Sequence, residues 1–154
     1  MFKATLRNAY LKKRLALPQE EFDKRAIEMT EKLYARILEL KIQDVFIFLP
    51  IDKKREFDCR PLAHKLWEVG ITTHVPVSDF STKSMKFARF GMSTSLIEKR
   101  YGIIEPVEPS YEEVEQAIVV TPLLIADSKL NRVGYGVGFY DRFFNNHNDL
   151  YKIG

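Results

Sequence analysis

A chain of 154 residues, 45% hydrophobic and 29% charged, has the size and make-up of one globular domain with one sizeable core. Its net charge of +3 is mild and concentrated at Lys3, Arg7, Lys12, Lys13 and Arg14, which argues against a nucleic-acid partner. The single cysteine, Cys59, excludes an internal disulfide framework and a cysteine-rich zinc site. The N-terminus lacks the apolar core of a secretory signal, and no apolar run approaches the roughly 20 residues of a membrane span, so no membrane association and a cytoplasmic home are expected.

In chain order, residues 2–15 read as a helix with Leu6, Tyr10 and Leu11 on one face. Lys3 and Arg7, at i and i+4, share a face and can reach one target together. Pro18 and the acids behind it open a second helix, to about Leu40, carrying Phe22, Ile27, Leu33, Ile37 and Leu38. Asp44 to Leu49 is an apolar run stopped by Pro50, a buried parallel strand. A polar loop, Ile51 to Phe57, contains Glu56. Pro61 to Val69 is a helix ending at Gly70, with Trp67 in the core. Ile71 to Val77 and the alternating Ser84 to Phe90 are strands. A short helical piece is expected at Ser95 to Arg100, and an acidic helix start at Pro109 to Gln116. Ala117 to Thr121 is a further buried strand. Helix follows from Gly138 to about Phe144, and Leu150 to Ile153 opens another strand. This alternation predicts an α/β three-layer sandwich, Rossmann-like, with a mostly parallel sheet and helices on both faces.

The stretch Asn131 to Phe144, NRVGYGVGFYDRFF, carries the strongest local signal. Gly134, Gly136 and Gly138 can take positive φ and let the backbone approach a ligand. A helix beginning beside Gly138 would aim free N–H groups and its positive dipole end at the same space, an anion site of the kind that binds phosphate. It is neither the dinucleotide-binding G-x-G-x-x-G nor a Walker A loop. A glycine-rich connection that only turns a corner is the plain alternative.

With its flanks, VVTPLLIADSKLNRVGYGVGFYDRFF, this stretch resembles the 5-formyltetrahydrofolate cyclo-ligase family, also called 5,10-methenyltetrahydrofolate synthetase. Pro122, Asp127, Arg132, Gly134, Gly136, Gly138, Phe139, Tyr140, Asp141 and Arg142 fall in register with the family's C-terminal pattern. Lys3, Leu6 and Arg7 match its opening Lys-x-x-Leu-Arg. Glu56 and Asp58, Val75 to Val77, Met85 and Phe87, and Gly102 to Pro106 match weaker marks between. The resemblance implies an ATP-dependent ligase converting 5-formyltetrahydrofolate to 5,10-methenyltetrahydrofolate with release of ADP and phosphate, using Mg²⁺ and working as a monomer. It implies ATP contacts from Lys3, Arg7, Arg132 and the loop Gly134, Tyr135, Gly136, Val137, Gly138, Phe139 and Tyr140, with Arg132 and Tyr140 catalytic. It further implies folate contacts from Glu56, Tyr135 and Phe139, and a metal ligand in Asp141.

Each assignment has a simpler counterpart: a solvated helix face for Lys3 and Arg7, a surface ion pair for Glu56, core packing for Tyr140, and for Asp141 a first-turn acid favoured by the helix dipole. Two departures stand out. Val137 occupies a position where the family often has Gly or Lys. The family also continues past the position of Gly154 with a strand and a segment bearing a second metal-associated Asp. The domain expectation is therefore one cyclo-ligase-like domain, 1–154, short of that segment. A nucleotide- or folate-binding homologue without turnover is the competing class, and an RNA-associated protein using the basic helix the third.

Overall fold

The computed structural model describes residues 2–154. Its four helices are α1 (Phe2–Leu15), α2 (Gln19–Leu40), α3 (Arg60–Glu68) and α4 (Phe139–Asn146). The main sheet contains β1 (Asp44–Phe46), β2 (Thr72–Asp79), β3 (Ser84–Phe90), β6 (Ile118–Val120) and β9 (Tyr151–Ile153), in the order β3-β2-β1-β6-β9. All its pairings are parallel except β2 with β3. Two hairpins stand apart: β4 (Leu96–Glu98) with β5 (Ile104–Pro106), and β7 (Ile125–Ala126) with β8 (Arg132–Val133).

Side chains alternate across the sheet with the period of two that a strand imposes. Val45, Ile47, Ile118 and Val120 point to the face covered by α2 and α3, where Ile37, Leu62 and Leu66 are fully buried. Phe46, Ala117 and Val119 point to the opposite face, against Phe143 and Phe144 of α4. Burying each Val, Leu, Ile or Phe contributes about 1.5–3 kcal/mol relative to leaving it exposed, so both faces contribute to the fold. The layered α/β architecture expected from the sequence is present, and among the described residues no helix is long and apolar enough to cross a membrane.

Several local expectations fail. In α2, Leu33 and Ile37 face the core as expected, joined by Tyr34 and Leu40, whereas Ile27 and Leu38 are 66% and 40% exposed. The helical piece expected at Ser95 to Arg100 is the first half of the β4–β5 hairpin. A single 3-10 turn, Arg100–Gly102, ends the stretch, and Tyr101 (φ 64) and Gly102 (φ 77) take left-handed backbone in it and turn the chain back. Pro109 to Gln116 is not helical either. It runs along the free edge of β3, where Ser110 accepts the Arg89 N–H at 2.8 Å and Glu112 pairs with the Arg89 guanidinium at 2.8 Å. A short helix is marginal in isolation, and here it loses to contacts that cover a sheet edge. Trp67 is half-buried, its indole N–H donated to Thr73 Oγ1 at 2.8 Å.

Candidate active site

In the sheet order, the chain moves from β1 to β2 on one side, while β6 lies on the other side of β1. Such a reversal opens a crevice beyond the carboxyl ends of the strands, the usual ligand position in open α/β sheets. A cleft of about 700 Å³ lies there. Phe48, Leu49 and Ile51, which follow β1, and Pro122, which follows β6, form part of its wall. Lys3, Arg7, Glu56, Arg132 and the whole run Gly134 to Asp141 also line it, so every residue expected to bind a ligand, act in catalysis or hold a metal lines one cavity.

The glycine loop is shaped by two of its three glycines. Gly136 (φ 99) and Gly138 (φ 82) take positive φ, and Gly134 does not, contrary to the expectation for all three. A methyl group on Gly136 would lie 3.0 Å from Arg7 Cζ, so the guanidinium rests directly on that glycine. Arg7 Nε also donates to the Gly134 carbonyl at 2.9 Å. Gly138 is the N-cap of α4, as the sequence suggested, and directs the helix's free N–H groups at the cleft. Arg142 closes the turn by donating to the Val137 carbonyl at 2.7 Å. Lys3 is exposed at the cleft mouth, one turn before Arg7 on the same face of α1.

Arg132 reaches the cleft because β7 and β8 form a hairpin around Asp127. The Asp127 carboxylate accepts the Lys129 and Asn131 N–H groups at 2.9 and 2.8 Å, and the Asn131 bonds hold it below its ordinary range. Arg132 then pairs with Asp141 at 2.5 Å and lies over the Tyr140 ring. The Asp141 side chain is 75% exposed. Among the described residues, no three His, Cys, Asp or Glu side chains gather as a metal cluster. A single carboxylate at the cleft nonetheless fits an ion such as Mg²⁺ that takes most of its oxygens from phosphate and water.

Glu56 is buried, not paired on the surface. The chain turns tightly at Asp52–Lys54 and Arg55 takes a left-handed conformation (φ 50), which swings Glu56 inward, where Oε2 accepts the Ile51 N–H at 2.6 Å. Tyr140 is partly buried, with its hydroxyl shielded from solvent and without a protein partner. Burial, with the nearby Cys59 and Glu56, pushes that phenol well above its ordinary value of 10.0. A buried hydroxyl without a partner is uncommon in a folded protein, and this one belongs to a residue that lines the cleft. Phe139 packs edge-on to Phe80 at 5.1 Å, and Phe80 lies 5.4 Å from Tyr101, giving the cleft an aromatic side.

Sequence reasoning missed Arg14, Lys54, Phe80 and Tyr101. Arg14 could have been found, since it falls two turns after Arg7 on the same helix face. The others carry no pattern, because distant segments bring them to the cavity.

A model of the 5-formyltetrahydrofolate cyclo-ligase family matches residues 2–153. The chain is 33% identical over 106 residues to the 5-formyltetrahydrofolate cyclo-ligase of Escherichia coli K12, covering 66% of this chain and 57% of that protein. It is 34% identical over 95 residues to the Haemophilus influenzae protein of the same name, covering 59% and 51%. The chain thus spans little more than half the length of these relatives. In fold it is similar to the 5,10-methenyltetrahydrofolate synthetase of Aquifex aeolicus (TM-score 0.75, 23% identity, 100% of this chain and 82% of that one). It is likewise similar to that of Mycoplasma pneumoniae (TM-score 0.69, 23% identity, 94% and 78%). The chain belongs to the 5-formyltetrahydrofolate cyclo-ligase family.

Proposed function

We propose that this protein uses ATP to convert 5-formyltetrahydrofolate to 5,10-methenyltetrahydrofolate, releasing ADP and phosphate. The observation that carries this reading is the convergence of a cationic helix face, a glycine-rich phosphate loop and a buried carboxylate on one cleft. Phosphoryl transfer is mainly a matter of positioning and charge neutralisation, and the cleft has parts for both. Lys3, Arg7 and Arg132 supply cations to the triphosphate, and the backbone from Gly134 to Tyr140 wraps it. The formyl oxygen attacks the γ-phosphorus as the bond to ADP breaks; N10 then closes the ring and phosphate leaves. Glu56 accepts pterin N–H groups, Tyr135 and Phe139 border the folate, and the Tyr140 hydroxyl donates to the reacting oxygens. Asp141 would hold Mg²⁺, which supplies charge neutralisation at the phosphates. Action as a monomer in the cytoplasm, without nucleic-acid or membrane partners, completes the proposal.

The test is the absorbance of 5,10-methenyltetrahydrofolate formed from 5-formyltetrahydrofolate, with and without ATP, by the wild type and by Asp141→Ala. ATP-dependent turnover that disappears in the variant supports the reading. Folate and ATP binding without turnover favours a binding-only homologue, and absence of both overturns the phosphate cradle.

A further inference from the structure

The proposed reaction leaves a half-buried cation of the cleft without a role. Lys54 lines the cleft beside the glycine loop, its ammonium 4.0 Å from the centroid of the Tyr135 ring. Among the described residues no ion pair or side-chain hydrogen bond holds that ammonium. The ring beneath it is fixed, since Arg14 donates to the Tyr135 hydroxyl at 2.7 Å and, through its other terminal nitrogen, to the Leu123 carbonyl at 2.7 Å. The turn that presents Lys54 is fixed as well. The Lys54 N–H donates to the Ile51 carbonyl at 2.9 Å, and the Arg55 guanidinium donates to the Leu15 and Leu17 carbonyls where α1 ends.

An aromatic face attracts an ammonium but offers it no oxygen, so the N–H donors of Lys54 stay available to a ligand. Burial lowers the pKa of Lys54 from the ordinary 10.5; the Glu56 charge opposes the shift and the Arg14 charge adds to it. A half-buried cation in this position gains from a bound anion. The loop beside it carries no cation of its own between Gly134 and Tyr140. The flanks of Lys54 decide which anion that is. On one side, Tyr135 lies between Gly134 and Gly136, the two residues that Arg7 grips on the phosphate side. On the other, Glu56 is tied to the same residue as Lys54, its Oε2 accepting the Ile51 N–H at 2.6 Å. Lys54 therefore stands where the phosphate half of the cleft meets the folate half. The part of the nucleotide that must reach this junction is the terminal phosphate, because the formyl oxygen attacks it. A lysine ammonium, a compact charge with three donors, suits that group.

We propose that Lys54 binds the terminal phosphate of ATP at the point where it meets the folate. This rests on the reading of the cleft as a folate and ATP site. The contact exists for ATP and not for ADP, so its removal acts selectively on the nucleotide that still carries the terminal phosphate.

Equilibrium binding of a non-hydrolysable ATP analogue, of ADP and of 5-formyltetrahydrofolate, each with Mg²⁺, is measured for the wild type, Lys54→Met and Lys54→Arg. Methionine keeps an unbranched stem on the Tyr135 ring and removes only the charge. Losing a charge-assisted bond to the terminal phosphate lowers the preference for the ATP analogue over ADP by about fivefold or more in Lys54→Met, and folate affinity changes less than that. Lys54→Arg keeps the charge and recovers part of the loss. A smaller fall in that preference overturns the proposal, whether binding is unchanged or both nucleotides weaken together. An equal or larger loss of folate affinity overturns it too, placing Lys54 on a folate carboxylate instead. If Lys54→Met does not fold, Lys54→Gln is judged by the same ratio. A wild type that binds no nucleotide removes the ATP reading itself, a different outcome from a wild type whose preference for the ATP analogue survives the substitution.

Discussion

Gly136 combines a backbone conformation that side chains avoid with an arginine resting on its face. Gly136→Ala should cost about 1–2 kcal/mol of stability and displace Arg7 from the loop, lowering nucleotide affinity along with the denaturation midpoint. Asp141 gives the opposite pattern. Its pair with Arg132 is exposed on the carboxylate side, and exposed pairs contribute little, so Asp141→Asn should keep its stability within about 0.5 kcal/mol while losing turnover. The phenols give the pH dependence. Burial raises Tyr135 and Tyr140 above their ordinary 10.0, so unfolding would let both ionise more easily. Their contribution is complete below pH 10.0 and is lost as pH rises towards the folded values. Tyrosinate absorbance should show a late-ionising fraction in the native protein that disappears in denaturant and shrinks in Tyr140→Phe. At this scale the sequence exposed the motif residues, because glycine spacing and charge are local. The burial of Glu56 was not legible: its charged surroundings suggested the surface, and only the left-handed turn at Arg55 carries it inward.

The helices differ in how they are held. Helix α3 buries Leu62, Ala63 and Leu66, whereas α1 buries none of its described residues and is tied to the loops by Arg7 and Arg14. Hydrogen exchange should therefore be faster in α1 than in α3, and a bound nucleotide should slow α1 selectively. Leu66→Ala, in the packed helix, should cost about 2–5 kcal/mol by denaturant titration. The elements that misled the sequence reading fail for a common reason. The β4–β5 turn and the strip along β3 are decided by backbone angles and by a neighbouring strand's hydrogen bonds, which residue periodicity does not encode. The strong strands and amphipathic helices were legible because burial itself enforces their period.

At the scale of the whole molecule, topology makes the cleft. The order β3-β2-β1-β6-β9 sets the ends of β1 and β6 at the point where the chain changes side, and the β7–β8 hairpin and α1 close over that point. The alternation of helices and apolar runs conveyed the layers, but nothing in it specified that residues from the first helix would meet the last glycine loop. That meeting was legible only through the family resemblance. The central claim is that two ligands react in this one cleft, with the formyl oxygen as the nucleophile. Its most direct test is turnover of 5-formyltetrahydrofolate carrying oxygen-18 in the formyl group, with mass analysis of the released phosphate. The account predicts one labelled oxygen in the phosphate for each methenyl product formed. Unlabelled phosphate, or product formed without ATP cleavage, would contradict it.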